Sequence, residues 1–455
     1  MLIYNGTIKK FDTDVRSGSI AHIIEQQFWG HGLAHNNISE FESWENSLFH
    51  MQQVLAYPSF QDDIQIAIEY QIPQTSKRVD FLIAGENNQG QENVIVIELK
   101  QWEEAGRTSR HDIVTAYTGG MVRAVAHPSY QAYSYAKTIE NYNAIVQDES
   151  IGMRPCAYLH NYSKSKISEI DNPLYQDVIE LAPMFIKNEV NKLRGFILKH
   201  VAKCSKRNLL YLIDNGRIRP SKALQDALGG MLSGNEEFVM IDEQKVVYET
   251  ILQLVKNALQ SEQKYTVIVE GGPGTGKSVV AIRLLVELVA NRGINAQYVT
   301  KNAAPRNVYF EQLKRDEYKL SYVKNLFKGS GSYYECSLNT FDCLIVDEAH
   351  RLNAKSGMFQ NLGENQIKEI INASKVSVFF IDENQVVTTK DIGSIHEIQM
   401  WAKKCGSQVV YDESTKLTSQ FRCNGSDGYM AFIDDLLGIR NTANHSGFDY
   451  EYDIQ

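Results

Sequence analysis

At 455 residues, 43% hydrophobic and 22% charged, the chain has the composition of folded globular protein and the length for two or three domains with separate cores. No apolar run is long enough to cross a bilayer, and the opening MLIYNGTIKKFD lacks the basic and apolar regions of a secretory leader, so a cytoplasmic protein with no membrane partner is expected. The formal net charge of −9 excludes a surface that is basic throughout, but not a local groove for nucleic acid.

Trp44, Leu48, Met51 and Leu55 recur at helical spacing over residues 39–55. Three β-rich runs follow: IQIAIEY from Ile64, RVDFLIA from Arg78 and NVIVIEL from Asn93. Helices are expected over residues 111–125 and 128–146, a strand at CAYLH from Cys156, and an amphipathic helix over 187–201. Residues 187–222 hold ten Lys or Arg against two acids, Glu189 and Asp214, a pattern that fits a solvated helix face and a phosphate-tracking surface equally. Gly, Pro, Ser and Asn concentrate over 214–235 and mark a domain boundary. Beyond it, TVIVE, a helix from Lys277, QYVT, CLIVD and VSVFFI alternate in the order of an α/β domain with a parallel sheet covered on both faces. The six cysteines, Cys156, Cys204, Cys336, Cys343, Cys405 and Cys423, form no C-x-x-C pair and have no histidine cluster nearby, so they read as reduced thiols.

RVDFLIA and NVIVIELKQW are joined by the turn-rich GENNQGQE. A hairpin centred near Gln89 sets Asp80 opposite Glu98. Alternation then puts Lys100 on the same face and turns Ile95, Ile97 and Leu99 into the core. Charged groups converging at one end of an apolar hairpin are costly to bury without a ligand. Asp80 and Glu98 offer the hard oxygens that Mg²⁺ or Mn²⁺ takes, and Lys100 suits an attacking hydroxide or charge developing at phosphorus; the alternative is a salt network on a surface hairpin.

Gln131 and Tyr135, in YQAYSYAKTIENYN, share a helix face at i, i+4. The order D-x(17)-E-x-K, then Q-x-x-x-Y, resembles the PD-(D/E)XK nucleases of the RecB type, at motif level over residues 39–146, with Val79 in place of the pattern's proline. The resemblance implies a restriction-endonuclease-like domain over 1–215, with Asp80 and Glu98 as metal ligands and Lys100, Gln131 and Tyr135 completing the catalytic set. It also implies an additional acid upstream, Glu40 on the helix face of Trp44, with Glu45 competing for the role.

After a linker over 216–237, GGPGTGKS runs from Gly271 to Ser278 between the strand TVIVE and the helix SVVAIRLLVELVA, the context of a Walker A loop. Gly271, Gly274 and Gly276 let the backbone turn its N–H groups toward phosphate at the positive end of a helix. Lys277 then reaches the β- and γ-phosphates of ATP and Ser278 holds Mg²⁺. CLIVDEAH ends an apolar strand on Asp347, the metal-side acid, and Glu348, the candidate base for the attacking water.

Here the chain resembles the superfamily 1 helicases. The resemblance makes Gln244, in Asp242-Glu243-Gln244, the adenine-reading glutamine, and Thr300 and Asn302 of YVTKNAAPR contacts to single-stranded DNA. Asp382 and Gln385 of FFIDENQ become the link from γ-phosphate to nucleic acid, and Arg422 of LTSQFRCNGS the arginine that stabilises the transferring phosphate. KNAAPR, DEAHR and SQFRCNGSDGY are closer to the Schlafen-type group than to ordinary unwinding enzymes. On this pattern residues 238–411 form a first RecA-like P-loop domain and 412–455 begin a second. Motifs V and VI do not follow, so a fragment or an incomplete ATPase half is expected, hydrolysing ATP poorly and unwinding nothing alone, with a homo-oligomer or a partner subunit as the source of any missing half.

The expectation is therefore a Mg²⁺-dependent DNA nuclease coupled to or regulated by a helicase-type ATPase, a fusion that suits defence against phage DNA. The alternatives are an ATP-regulated RNA nuclease and an ATP-driven nucleic-acid-binding switch with a vestigial nuclease site.

Overall fold

The computed structural model describes residues 1–30, 38–72, 75–217, 224–232, 239–315, 319–357 and 361–419. The chain divides into two compact units, one within Met1–Ser221 and the other within Lys222–Gln420, each a mixture of helices and strands with parallel pairing. Among the described residues no helix is long and apolar enough to cross a membrane.

The first unit opens with β1 (Leu2–Thr7), α1 (Ile8–Arg16), α2 (Ile20–Gly30) and α3 (Ile38–Leu55). The helical spacing over 39–55 is α3, which buries Trp44, Leu48, Met51 and Leu55. Next come β2 (Gln65–Gln71), β3 (Arg78–Glu86), β4 (Glu92–Lys100), β5 (Ala105–Arg107), β6 (Ile113–Thr118) and β7 (Met121–Ala126). They are followed by α4 (Pro128–Tyr142), α5 (Ala144–Asp148), β8 (Gly152–Leu159), α6 (Gln176–Leu181), β9 (Met184–Ile186), α7 (Val190–His200) and α8 (Leu209–Asp214). The main sheet runs β1-β2-β3-β4-β8-β9; β1 to β4 pair antiparallel, and β8 and β9 add parallel. In the β3–β4 hairpin Phe81 pairs with Ile97 and Gly85 with Asn93, a register centred on residue 89. Ile95, Ile97 and Leu99 join Phe81 and Ile83 in the core against α1 to α3, and α4 packs across β4 and β8.

Two expectations fail here. Residues 111–125 are the β6–β7 hairpin rather than a helix: Gly119 and Gly120 both have positive φ, 59° and 83°, which is the two-residue turn that joins twisted antiparallel strands. The flanking valines and threonines prefer that pleat. The helix expected over 128–146 is broken at Asn143, whose extended backbone ends α4 while its side chain caps α5 by accepting from Ile145 and Val146 N–H.

The second unit contains α9 (Leu224–Leu232), α10 (Glu243–Gln260), β10 (Tyr265–Gly271), α11 (Lys277–Val286), β11 (Ala296–Val299), α12 (Ala303–Arg315), α13 (Leu320–Leu326) and β12 (Phe327–Lys328). It continues with β13 (Phe341–Val346), α14 (Gln366–Ala373), β14 (Ser374–Ile381), α15 (Ile395–Lys404), β15 (Gln408–Val410) and β16 (Lys416–Leu417). The sheet runs β12-β11-β13-β14-β10-β15, with β16 also on β10, and every pairing is parallel. Alternate residues enter two cores. Val267, Val269, Ile345 and Phe380 pack with α10 and α11 residues, while Ile268, Leu344, Val346 and Phe379 pack with α14 and α15. A sheet buried on both faces explains why CLIVD and VSVFFI read as unbroken apolar runs. The stretch expected as linker, 216–237, carries α9, whose Ala227, Leu228 and Met231 are buried in the first of these cores. Its Gly229–Gly230 pair lies inside that helix rather than in a loop.

Candidate functional site

Two clusters gather the residues singled out by sequence. In the second unit β10 ends at Gly271 and α11 begins at Lys277, so the intervening loop sits at a helix N-terminus. Gly274 and Gly276 have φ of +78° and +85°. A Cβ on Gly276 would also stand 2.2 Å from Gln244 Nε2. Lys277 Nζ donates to Gly271 O at 2.5 Å and Gly272 O at 2.7 Å, and Thr275 Oγ1 donates to Gly272 O at 3.0 Å, folding the loop on itself. Gln244 uses both ends of its buried amide on backbone: Nε2 donates to Thr275 O at 3.1 Å, and Oε1 accepts from Ile241 N. In this conformation it braces the loop.

Asp347 follows β13 and is buried. Its Oδ2 accepts from Ser278 Oγ and from Tyr298 OH, each at 2.6 Å, and its Oδ1 accepts from the Glu348 N–H. The loop hydroxyl expected to bind a cation therefore already touches the metal-side acid. Glu348 is held at φ +54°, and burial together with the Asp347 charge pushes its carboxyl up, against the pull of Arg351 and Lys277. Buried polar atoms that find no hydrogen-bond partner among the described residues lie around it: Glu348 Oε2, His350 Nδ1 and Asp382 Oδ2. Burial pushes the His350 imidazole down, while the Asp382 charge works the other way. Such atoms are costly unless a ligand satisfies them, and a Mg²⁺·nucleotide with its waters is the ligand this donor set fits.

The motif III residues sit beyond β14. Asp382 caps a single turn by accepting from Asn384 N–H, and Gln385 is half-buried in that turn. Thr300 is buried at the end of β11 and its Oγ1 accepts from Asn302 N–H, while Asn302 is exposed and its Oδ1 accepts from Ala304 N–H at the start of α12. Arg422 lies outside the described residues.

In the first unit the β3–β4 register brings Asp80 and Glu98 together. Asp80 Oδ2 accepts from Leu99 N–H at 2.7 Å, and Lys100 Nζ stands 2.5 Å from Glu98 Oε1. Burial pushes the Asp80 carboxyl up, with Lys100 opposing. Two neighbouring carboxylates offer the hard oxygens that a divalent ion takes. Among the described residues no group of three or more His, Cys, Asp or Glu side chains is arranged to hold a metal. Gln131 Nε2 donates to Tyr135 OH at 2.9 Å on α4, the helix that covers the sheet face of Glu98 and Lys100. Glu45 is exposed, and the side chain of Glu40 lies outside the described residues.

Residues 264–455 match the family model for the Schlafen group 3 DNA/RNA helicase domain. No curated protein matches the chain. The Schlafen-type helicase-like region thus takes in the phosphate loop, Asp347, Glu348, Asp382 and Gln385. Gln244 and the whole first unit precede it.

Several site residues escape sequence reasoning. Glu69 sits in β2 at φ +56°, buried, accepting from Trp44 Nε1 at 2.8 Å and facing Arg78 Nε at 2.9 Å. With Ser43, Trp44, Ser47, Arg78 and Asp80 it lines a cavity of ≈ 280 Å³. The available signal was an acid inside the apolar run AIEY. Gln101 Nε2 donates to Ser43 Oγ at 2.7 Å and so ties the residue after Lys100 to α3. In the helicase-like region Asp391 binds Lys301 at 2.7 Å and Arg351 at 3.2 Å; although burial opposes it, Lys301 and the Val387 and Thr388 N–H groups draw its carboxyl down to about 2. Three cations of the basic stretch are paired: Arg207 with Glu92 and Glu149, Lys203 at 3.4 Å from Glu86, and Lys192 with Glu189. For these three the contacts favour the structural reading.

Proposed function

We propose that this chain is a nuclease that cuts DNA with a divalent cation held by Asp80 and Glu98, and that nucleotide binding in its Schlafen-type helicase-like region regulates the cutting. On this reading the first unit is a PD-(D/E)XK-type domain and the second a RecA-like P-loop domain. The observation that carries the proposal is the hairpin register, which sets Asp80 opposite the buried Glu98 with Lys100 bound to Glu98, at the end of an otherwise apolar hairpin. A structural salt network needs no second acid beside that pair.

When bound, Mg²⁺ or Mn²⁺ supplies Lewis-acid polarisation of the scissile phosphate and acidifies its water. The protein's own contributions are positional. Leu99 N–H fixes one Asp80 oxygen, Lys100 holds Glu98 and brings positive charge to the phosphate, and the Gln131–Tyr135 pair presents a polar edge on α4. In the second unit Lys277 and the loop N–H groups bind phosphate, Ser278 and Asp347 hold the nucleotide's Mg²⁺, and Glu348 activates water.

The test is cleavage of labelled single-stranded DNA, duplex DNA and RNA, with and without Mg²⁺ and ATP. Asp80→Ala should abolish cutting and retain ATP binding, and Lys277→Ala should lose ATP binding. Undiminished Mg²⁺-dependent cutting by Asp80→Ala would overturn the assignment. Preferential cutting of RNA would move the substrate to that class. Defence against phage DNA belongs to the same proposal, with plaque counts on cells carrying wild-type or Asp80→Ala protein as its measure.

A further inference from the structure

The β6–β7 hairpin has no part in the chemistry just described, yet it is inserted between its two halves. Its first strand pair starts at Ala105, shortly after Lys100, and β7 ends at Ala126, shortly before Gln131. The root of the hairpin is fixed. Tyr175 OH donates to Ile113 O at 2.9 Å, and His127 N–H donates to Asp112 O at 2.7 Å. His127 is buried, caps α4 through Nδ1 and meets Ile170 O through Nε2 at 2.9 Å. Ile113, Val114 and Ala126 are buried.

The tip is the reverse. Tyr117 is 69% exposed, Val122 68% and Met121 49%. Tyr117 pairs across the strands with Val122 and Thr118 with Met121, so successive pairs point to opposite faces and the blade is apolar on both sides. A surface meant to pack on one flat partner needs only one apolar face; two suit insertion between layers. The charge is also one-sided: residues 105–126 carry Arg107, Arg110 and Arg123 against a single acid, Asp112, at the root. Arg123 lies at the turn, where a Cβ on Gly119 would stand 3.4 Å from its guanidinium.

We propose that this hairpin is a wedge that enters duplex DNA, placing Tyr117, Met121 and Val122 against an unstacked base pair while its arginines take the flanking phosphates. Apolar side chains inserted at a base step, backed by cations on the backbone, are a recurrent way to open or kink a duplex. The inference rests on the nuclease reading for its substrate, but its test does not require cutting.

The experiment uses the full chain in EDTA, with duplex DNA carrying 2-aminopurine, whose fluorescence rises when it unstacks. Wild-type protein should enhance the signal. The triple variant Tyr117→Ser, Met121→Ser, Val122→Ser should lose the enhancement and bind duplex roughly ten-fold more weakly, the scale of lost base stacking, with an unchanged melting temperature because the tip is exposed. Each single serine variant should lose part of the enhancement. Unchanged fluorescence and affinity would overturn the wedge, as would a loss seen only with RNA, or a shift from dimer to monomer in sedimentation with DNA binding intact. Failure of the nuclease reading looks different: no metal-dependent cleavage by wild-type protein, with the fluorescence enhancement still present.

Discussion

Tyr298→Phe isolates one hydrogen bond at the proposed nucleotide site. The Tyr298 ring is wedged against Tyr309 and Phe327, at centroid distances of 6.0 and 5.6 Å, so phenylalanine fills the same space and only the hydroxyl is lost. That hydroxyl donates at 2.6 Å to Asp347 Oδ2, which keeps its bond from Ser278. A hydrogen bond to a buried charge contributes about 1.5–3 kcal/mol. For a unit the size of Lys222–Gln420, each kcal/mol corresponds to about 2–4 °C, so its melting transition should fall by about 3–12 °C.

Scanning calorimetry with and without Mg²⁺·ATP reads the effect. The Tyr298 hydroxyl bonds to Asp347 rather than to a loop residue, so the variant should keep the stabilisation by nucleotide, about 2.7 kcal/mol at a hundred-fold excess over Kd. Ser278→Ala removes a bond of the same length but also the hydroxyl assigned to the cation, so it should lose most of the nucleotide shift. An unchanged melting temperature for Tyr298→Phe would refute the hydrogen-bond reasoning. Loss of its nucleotide shift would refute the separation of roles.

Burial pushes His127 and His160 down to about 4. Below pH 6.5 the unfolded chain takes up protons that these folded imidazoles refuse, so stability should fall by about 1.4 kcal/mol per pH unit for each, between pH 6.5 and about 4. His127→Asn retains a capping side chain and should remove one proton from that slope in urea titrations; an identical slope would argue against a neutral His127. Glu348→Gln should bind ATP and fail to hydrolyse it, and wild-type hydrolysis should decline on the acid side above the usual carboxylate range, because burial and Asp347 hold the base's pKa up. Equal loss of binding in Lys277→Ala and Glu348→Gln would show the roles misassigned. Arg207→Ala should leave the salt dependence of DNA affinity unchanged, since Arg207 is engaged by Glu92 and Glu149; a slope smaller by about 0.7–0.9 would identify a phosphate contact.

The legible parts of this fold are those in which local chemistry and position coincide. GGPGTGKS and the Asp347–Glu348 pair carry their geometry in a short string, because strand, turn and helix are consecutive. The β3–β4 hairpin was legible because its centre follows from spacing alone, and the register then fixes Asp80 beside Glu98. What was lost depends on distant partners or on turn detail. Residues 111–125 form a hairpin because the Gly119–Gly120 turn and the β-branched residues beside it outweigh their apolar spacing. Asp391 gave no sign of its place, because Lys301 and Arg351 reach it from elsewhere in the sequence. Glu69 was visible as a letter but not as a site residue, since its role depends on Trp44 from α3 and on a left-handed backbone that no periodicity implies.

The two candidate sites also differ in how they tolerate their own charge, and the difference bears on which of them needs a ligand to be well formed. Around the first, Asp80, Glu98 and Glu69 stand with Lys100 and Arg78, and the contacts Lys100–Glu98 and Arg78–Glu69 are made within the protein. Burial pushes the Asp80 carboxyl up as well. On the proposed reading a cation must displace protons from these carboxyls, so metal binding there should be weaker at low pH. Around the second, Asp347, Glu348 and Asp382 are buried or half-buried, while Lys277 is turned onto the loop carbonyls and Arg351 faces Asp391. Donated hydroxyls relieve Asp347, but Glu348 Oε2 and Asp382 Oδ2 find no partner among the described residues. If the proposed nucleotide binds with its cation and waters, it meets both deficits at once, and the local order of the helicase-like region should then rise with ligand.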